Sequence, residues 1–384
     1  MDLSVFFEPV SRDLFEGIKG TQLGSRCWAS GPAYPDWQKA DIVLLGMQNE
    51  EQPKGMAAAV RPYLYALSLP HENLAIADLG NLKLKDSLEA SYDALAYVME
   101  HLMDAGKTVL LVADDPSSTF AQYISFANQD RWINYVHVGP KFHLLEPETA
   151  PDNDTFNQRI FIHEPNSLFS YTNLGYQRYF VGQEELASLK DLQFSSRRYG
   201  ELAGTLEVAE PYLREANMLS MEMSAIRQSE CPASAIPSPG GFSALEACQL
   251  ARYAGISPQL NNCSIHGLNM AKNDDGQSAH LAATMLWYFM EGYYHRPDTI
   301  QPEDLKQMRR YNVQLRAAIE QINFYYDSAN QHWWMEVPMP SEIGKVKPQS
   351  RLVACSEEDY QTARHDEIPG RWWKAYHKLE KLEG

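Results

Sequence analysis

Leu219-Ser-Met-Glu-Met-Ser-Ala-Ile-Arg-Gln-Ser-Glu-Cys-Pro-Ala-Ser-Ala-Ile-Pro-Ser-Pro-Gly-Gly-Phe242 is the stretch on which the reading of this chain turns. It begins inside an apolar run, Ala216 to Met223, that reads as a buried strand, with Glu222 and Ser224 at its C-terminal end. The prolines and the Gly240-Gly241 pair then interrupt regular structure. Ser243 and Glu246 form an S-x-x-E capping box that opens a helix from Ala244 to Ala254, and Gly255 stands where a left-handed C′ residue is expected.

Outward from this unit, apolar β-type runs alternate with helical patterns, as in a parallel sheet covered by helices. Strands are predicted at Asp41–Gly46, Leu74–Gly80, Thr108–Ala113, Ile133–Gly139 and Asn262–Leu268. Helices are predicted at Gly55–Leu67, at Ser87–Ala105 with Leu88, Leu95, Val98 and Leu102 on its apolar stripe, and at Gln277–Tyr294. Between Leu144 and Tyr199 the pattern loosens, broken by Pro147, Pro151 and Pro165, and loops with short elements are expected. The fold class is therefore a three-layer α/β/α domain with a mostly parallel twisted sheet over residues 1–300. Residues 301–384 form an aromatic-rich extension expected to pack on the same domain. There Ile322–Asp327 and His332–Val337 read as a hairpin, and short helices follow, the first opened by Ser356 and Asp359. The pairs Trp333-Trp334 and Trp372-Trp373 supply apolar area for docking.

Lys plus Arg number 33 against 50 Asp plus Glu, a net charge of −17, which repels phosphate backbones and anionic lipid. Nucleic acid and membrane are thus not expected partners. Asp2 and Glu8 stand where a secretory signal carries basic residues, so a cytoplasmic location is expected. Cys27, Cys231, Cys248, Cys263 and Cys355 are scattered without a C-x-x-C pair, which reads as buried reduced thiols.

The run from Leu219 to Phe242 resembles the S-x-D-x-D-x-x-D-P segment of the ureohydrolase superfamily (arginase, agmatinase, formimidoylglutamase) and the Gly-Gly turn that follows it. Other anchors come in the family's order. Asp41–Gly46 is similar to its first strand, Ile76-Ala-Asp-Leu-Gly80 to its I-x-D-x-G strand, and Ala113-Asp-Asp-Pro-Ser-Ser-Thr119 to G-G-D-H-S-x-T. Gly139-Pro-Lys-Phe-His143 resembles D-A-H-x-D, while Gly276–Ala283 and Trp287–Tyr294 resemble the closing helix. With Trp-Trp-Met-Glu-Val-Pro in the tail, the chain looks most like a divergent formimidoylglutamase-like branch. The resemblance implies an arginase-like fold, trimers or hexamers, and hydrolysis of a guanidino or formimidoyl carbon by hydroxide bridging two Mn²⁺ ions.

The family's ligand positions are nevertheless mostly lost. The His of G-G-D-H falls on Pro116, the Asp, His and Asp of D-A-H-x-D on Gly139, Lys141 and His143, and the aspartates of S-x-D-x-D on Glu222 and Ser224. The catalytic glutamate falls on Gly267. His143 and Glu222 alone keep ligand chemistry, with Asp114 and Asp115 near enough in sequence to shift into a ligand role. An ion-pair network is expected instead, Lys141 and Arg227 balancing Asp115 and Glu222. His266, beside the vacant glutamate position, is the further candidate, and the other histidines, His137 among them, read as bystanders. The vestigial cleft candidates are thus Lys141, His143, Glu222, Ser224 and His266.

These readings lead to a catalytically degenerate ureohydrolase-fold protein that binds a small molecule in its vestigial cleft or a protein partner, with no cofactor expected. The alternative is an active formimidoylglutamase- or agmatinase-type hydrolase with a rearranged manganese site built from Asp114, Asp115, His143 and Glu222. A third is a metal-free hydrolase built around Lys141, His143 and Glu222. A homo-oligomer is compatible with each.

Overall fold

The computed structural model describes residues 2–29, 34–48, 55–129, 131–144, 155–273, 275–298, 300, 304–316, 321–339 and 350–383, so Pro147 and Pro151 lie outside the described residues. The chain opens with two short strands, β1 (Phe7–Glu8) and β2 (Trp28–Ala29). Strand–helix units follow: β3 (Ile42–Met47) with α1 (Met56–Ala66), β4 (Ile76–Leu82) with α2 (Leu88–Asp104), and β5 (Thr108–Ala113) with α3 (Ser118–Ala127). Next come β6 (Ile133–Val138), α4 (Phe156–Phe161), β7 (Leu168–Tyr176), α5 (Gln183–Asp191), β8 (Ser195–Arg198), α6 (Tyr199–Leu202) and α7 (Glu210–Glu215). The main body closes with β9 (Met218–Glu222), α8 (Ala244–Ile256), β10 (Asn262–His266) and α9 (Gln277–Tyr294).

These strands form one sheet in the order β1-β4-β3-β5-β10-β9-β6-β7-β8, with β2 also beside β4. Every described pair is parallel except β1 with β4. The central strands are apolar throughout because helices cover both faces. Ile42, Leu44, Leu110 and Val112 face a core with α1, α8 and α9, whereas Val43, Leu45, Val109 and Leu111 face the opposite core with α2 and α3.

The segment expected to hold loops and short elements contributes two further strands, β7 and β8, which extend the sheet. Their polar, Tyr-rich sequence hid them: Tyr171, Asn173 and Thr172 are buried against the sheet's own layers, so apolarity was the wrong signal there. The helix end expected at Gly255 also lies elsewhere. The Ser243–Glu246 capping box forms, but the helix runs on to Ile256, with Gly255 inside it. A Cβ at Gly255 would lie 2.2 Å from the Phe289 carbonyl oxygen, so this glycine permits α8 and α9 to touch backbone to backbone.

The tail is larger than a hairpin. Strands β11 (Arg309–Gln314), β12 (Gln321–Asp327), β13 (His332–Pro338) and β14 (Ser350–Cys355) form an antiparallel sheet in sequence order, followed by α10 (Glu357–Arg364) and α11 (Gly370–Glu383). The expected hairpin is its centre, with Tyr325 opposite Trp334 and Tyr326 opposite Trp333, and the Ser356–Asp359 box caps α10. The outer strands escaped detection because β11 is an edge strand whose alternate residues are exposed.

Arg214 of α7 fastens this sheet to the body. It is buried, donates to the carbonyls of Trp333 (3.0 Å) and Cys355 (3.1 Å), pairs with Glu210 (3.0 Å), and lies 4.3 Å from the Trp334 ring. Arg214→Ala should therefore cost about 3 kcal/mol, because it strands two carbonyls and a half-buried carboxylate. Urea unfolding and limited proteolysis of the tail would check this.

Burial, and then the nearby Arg214, push the His332 pKa down to about 4, with Asp327 opposing. Glu210, 3.4 Å away, does not reverse this. Because the folded value lies below the unfolded one, the neutral ring's contribution is complete above about pH 6.5 and is lost as pH falls toward 4, up to about 3 kcal/mol. His332→Gln should flatten the fall in the urea midpoint between pH 7 and 4.5.

Candidate functional site

In open parallel sheets, ligands gather beyond the strands' C-terminal ends where the strand order reverses. Here that edge is formed by β5, β10, β9 and β6. Register sets the neighbours: Ala113 lies beside His266, His266 beside Glu222, and Ser220 beside His137. The period of two along each strand points His137, Ser220, Glu222 and His266 to one face.

The loop after β6 brings His143 back to the same place. His143 has φ 54°, a left-handed conformation that a non-glycine residue adopts rarely. Its Nε2 lies 2.8 Å from Glu222 Oε2, and His137 Nε2 is 3.8 Å from that oxygen. On the other side of the His137 ring, Nδ1 is 3.4 Å from Ser220 Oγ. Ser220 Oγ is in turn 2.6 Å from His266 Nε2 and 3.2 Å from Thr119 Oγ1. Phe156 of α4 closes the cluster, with ring centroids 4.7 Å from His143, 5.6 Å from His137 and 6.1 Å from His266. His137, Ser220, His266 and Phe156 are fully buried, and Glu222 nearly so.

Burial alone would raise the Glu222 pKa, but His143 above all, by charge and hydrogen bond, holds it down at about 2. Burial drives His137 far below the usual imidazole range and His266 to about 4, so both are neutral. The shortest contact of Glu222 with these rings is the one to His143.

Of the sequence candidates, His143, Glu222 and His266 meet at this place. Ser224 is next to them in the chain but accepts a hydrogen bond from the Ile236 amide (3.0 Å), tying down the following loop. Asp114 accepts from the Met56 amide at the start of α1 (2.5 Å), and Asp115 from the Ser117 amide (2.9 Å). The expected ion-pair network is not what forms. The Lys141 ammonium lies over the Phe180 ring, 5.5 Å from its centroid, and Arg227 faces Glu230 (3.4 Å) and Glu246 (3.7 Å). Burying Lys141 beside neutral imidazoles would cost more than its rim position over an aromatic face.

His137 is the residue that sequence reasoning missed. It matches no motif, and only its inward position at the end of a buried strand, six residues before His143, could have marked it. His137, His143 and Glu222 are the one group of at least three His, Cys, Asp or Glu side chains, among the described residues, that converges closely enough to hold a metal ion, their ligand atoms lying within 4.8 Å of one another.

A pair of manganese ions does not fit these residues. Two dications with a bridging hydroxide would be met by one carboxylate, leaving a net charge of about +2 in a buried site. The places of the two carboxylates that the resemblance implies, at Gly139 and Gly267, are also filled or barred. A Cβ at Gly139 would lie 2.1 Å from His137 Nε2. At Gly267, φ is +89° and a Cβ would lie 3.2 Å from Glu222 Cγ, so a glutamate there would be strained.

Comparison with known proteins agrees with this architecture. Formiminoglutamase from Trypanosoma cruzi, in a structure with Mn²⁺, superposes with a TM-score of 0.62 at 18% identity, covering 68% of this chain and 95% of that one. Formimidoylglutamase from Bacillus subtilis gives 0.62 at 15% identity, over 72% and 93% of the two chains. Agmatine ureohydrolase of Thermoplasma volcanium gives 0.57 at 16%, over 74% and 98%. These likenesses concern the fold. No curated protein sequence matches the chain. The Arginase family sequence model matches residues 50–291, which is more than half of the chain and spans every site residue described above. With the sheet order, the polar edge and this match in hand, the chain belongs to the Arginase family.

Proposed function

We propose that this chain is a catalytically degenerate ureohydrolase that acts by binding, of a small ligand in the vestigial cleft or of a protein partner, rather than by two-metal hydrolysis of amidines. The observation that carries the reading is the occupation of the lost carboxylate's place, the His137 ring standing where a side chain at Gly139 would go. Hydrolysis in this family needs a water made acidic by two cations, and two dications held close together need several anionic ligands to balance their charge. Glu222 supplies one.

The test is the metal content of the purified protein by inductively coupled plasma mass spectrometry after incubation with Mn²⁺ and desalting, paired with assays for urea and formamide release. Fewer than two manganese ions per chain and no release are expected. Two ions with turnover of a guanidino or formimidoyl substrate would overturn the reading in favour of an active formimidoylglutamase-type hydrolase. A reducing cytoplasm suits the buried thiols, and the net charge of −17 disfavours nucleic acid and anionic membrane. Among the described residues no helix is long and apolar enough to cross a membrane.

A further inference from the structure

We propose that His137, His143 and Glu222 form a site for a single transition-metal ion of the zinc class, standing in place of the family's manganese pair. This rests on the reading of a degenerate centre, and it goes further by assigning new chemistry to what remains. The ligand set is not the inherited one, since His137 lies outside the positions that the family motifs mark.

The first support is distance. Two ligands bound at about 2.0–2.1 Å at the tetrahedral angle lie about 3.3–3.4 Å apart. The separations to Glu222 Oε2, 2.8 Å from His143 and 3.8 Å from His137, bracket that value, each within about 0.6 Å of it.

The second support is an unsatisfied atom. His137 Nε2 is buried and has no hydrogen-bond partner, a state that costs about 1–3 kcal/mol unless something binds there. When Ser220 gives its one hydroxyl proton along its shortest bond, to His266, His137 Nδ1–H donates to Ser220 Oγ. His137 Nε2 is then a lone pair 3.8 Å from Glu222 Oε2. Two acceptor atoms facing each other in a buried pocket call for a cation between them.

The third support is the surroundings. Metal-bound imidazoles are usually oriented by a hydrogen bond from their other nitrogen, and Ser220, itself held by Thr119 and His266, supplies this for His137. Gly139 gives the ring tip its room. Two imidazoles and one carboxylate favour zinc, cobalt or nickel over magnesium or calcium, which take oxygen ligands. One dication against one carboxylate leaves a charge of about +1, far easier to bury than a pair of ions.

The test uses the full chain, stripped with a chelator, desalted and titrated with Co²⁺ and Zn²⁺. Cobalt reports its own coordination through visible d–d absorption, and mass spectrometry gives the stoichiometry. One equivalent should bind, with the intense spectrum of a low-coordinate cobalt ion displaced by zinc. Glu222→Gln and His137→Gln should each weaken zinc binding by about a hundredfold or more, as read by competition with a chromophoric chelator. His137 ends a core strand, so His143→Asn, on the loop that follows β6, is the second variant, and circular dichroism verifies that each folds. Absence of any retained ion and of the cobalt spectrum would overturn this inference while leaving the degenerate reading intact. Two manganese ions per chain, unaffected by His137→Gln, would overturn both.

Discussion

Gly139→Asp, the substitution that restores a lost carboxylate of the family pattern, should destabilise the protein by about 3–5 kcal/mol and should not restore a manganese pair. The added Cβ would lie 2.1 Å from His137 Nε2 and within 3 Å of the neighbouring ring carbons, Cε1 (2.8 Å) and Cδ2 (2.9 Å). That ring has no free direction to turn, because Ser220 holds one side and Phe156 packs on it with centroids 5.6 Å apart. The new carboxylate would also face Glu222, which is already ionised, so clash and like-charge repulsion act together. Urea unfolding measures the loss. In a double-mutant cycle, His137→Ala should relieve the clash and give a coupling energy of at least about 1.5 kcal/mol. A Gly139→Asp variant as stable as the parent and holding two manganese ions would remove the basis for calling the centre degenerate.

Gly255→Ala should be nearly as damaging, at about 3 kcal/mol, although alanine is the better helix former by about 1 kcal/mol at an exposed position. The contact between α8 and α9 is reciprocal. A Cβ at Gly255 meets the Phe289 carbonyl oxygen at 2.2 Å, and one at Gly292 meets the Arg252 carbonyl oxygen at 2.4 Å and Gly255 Cα at 3.2 Å. These are backbone atoms of helices, which cannot rotate aside, so the helices must separate and open the core between them. The urea midpoint should fall with little change in slope. Gly292→Ala should behave alike, and the double variant should cost less than the two added together because the first separation makes room for the second. Gly200→Ala, where a Cβ meets nothing within 4 Å, is the control and should be neutral or slightly stabilising.

Much of this architecture was legible in the residues. The predicted strand Thr108–Ala113 and helix Gln277–Tyr294 have the observed bounds, and the capping boxes at Ser243 and Ser356 form as written. These features are local: an apolar run, a helical period and a cap depend on residues a few positions apart. The expectation that family ligands are lost at Pro116, Gly139, Lys141, Ser224 and Gly267 is equally a matter of residue type.

Tertiary structure decided the rest. Gly255 reads as a helix end until α9 is known to lie against it, because a glycine's lack of a side chain serves a turn and a close approach alike. Tyr171 and Asn173 read as loop residues until β6 and β8 flank them and supply the ladder that a polar strand needs. Lys141 and Glu222 carry opposite charges, but the fold sends one to an aromatic face at the rim and surrounds the other with imidazoles. His137 shows the difference most plainly. The sequence determined that an imidazole ends a buried strand. Strand order, register and the returning loop placed its free nitrogen against Glu222 and His143, residues 85 and 6 positions away, because convergence at a sheet edge is a property of parallel pairing and not of any segment alone.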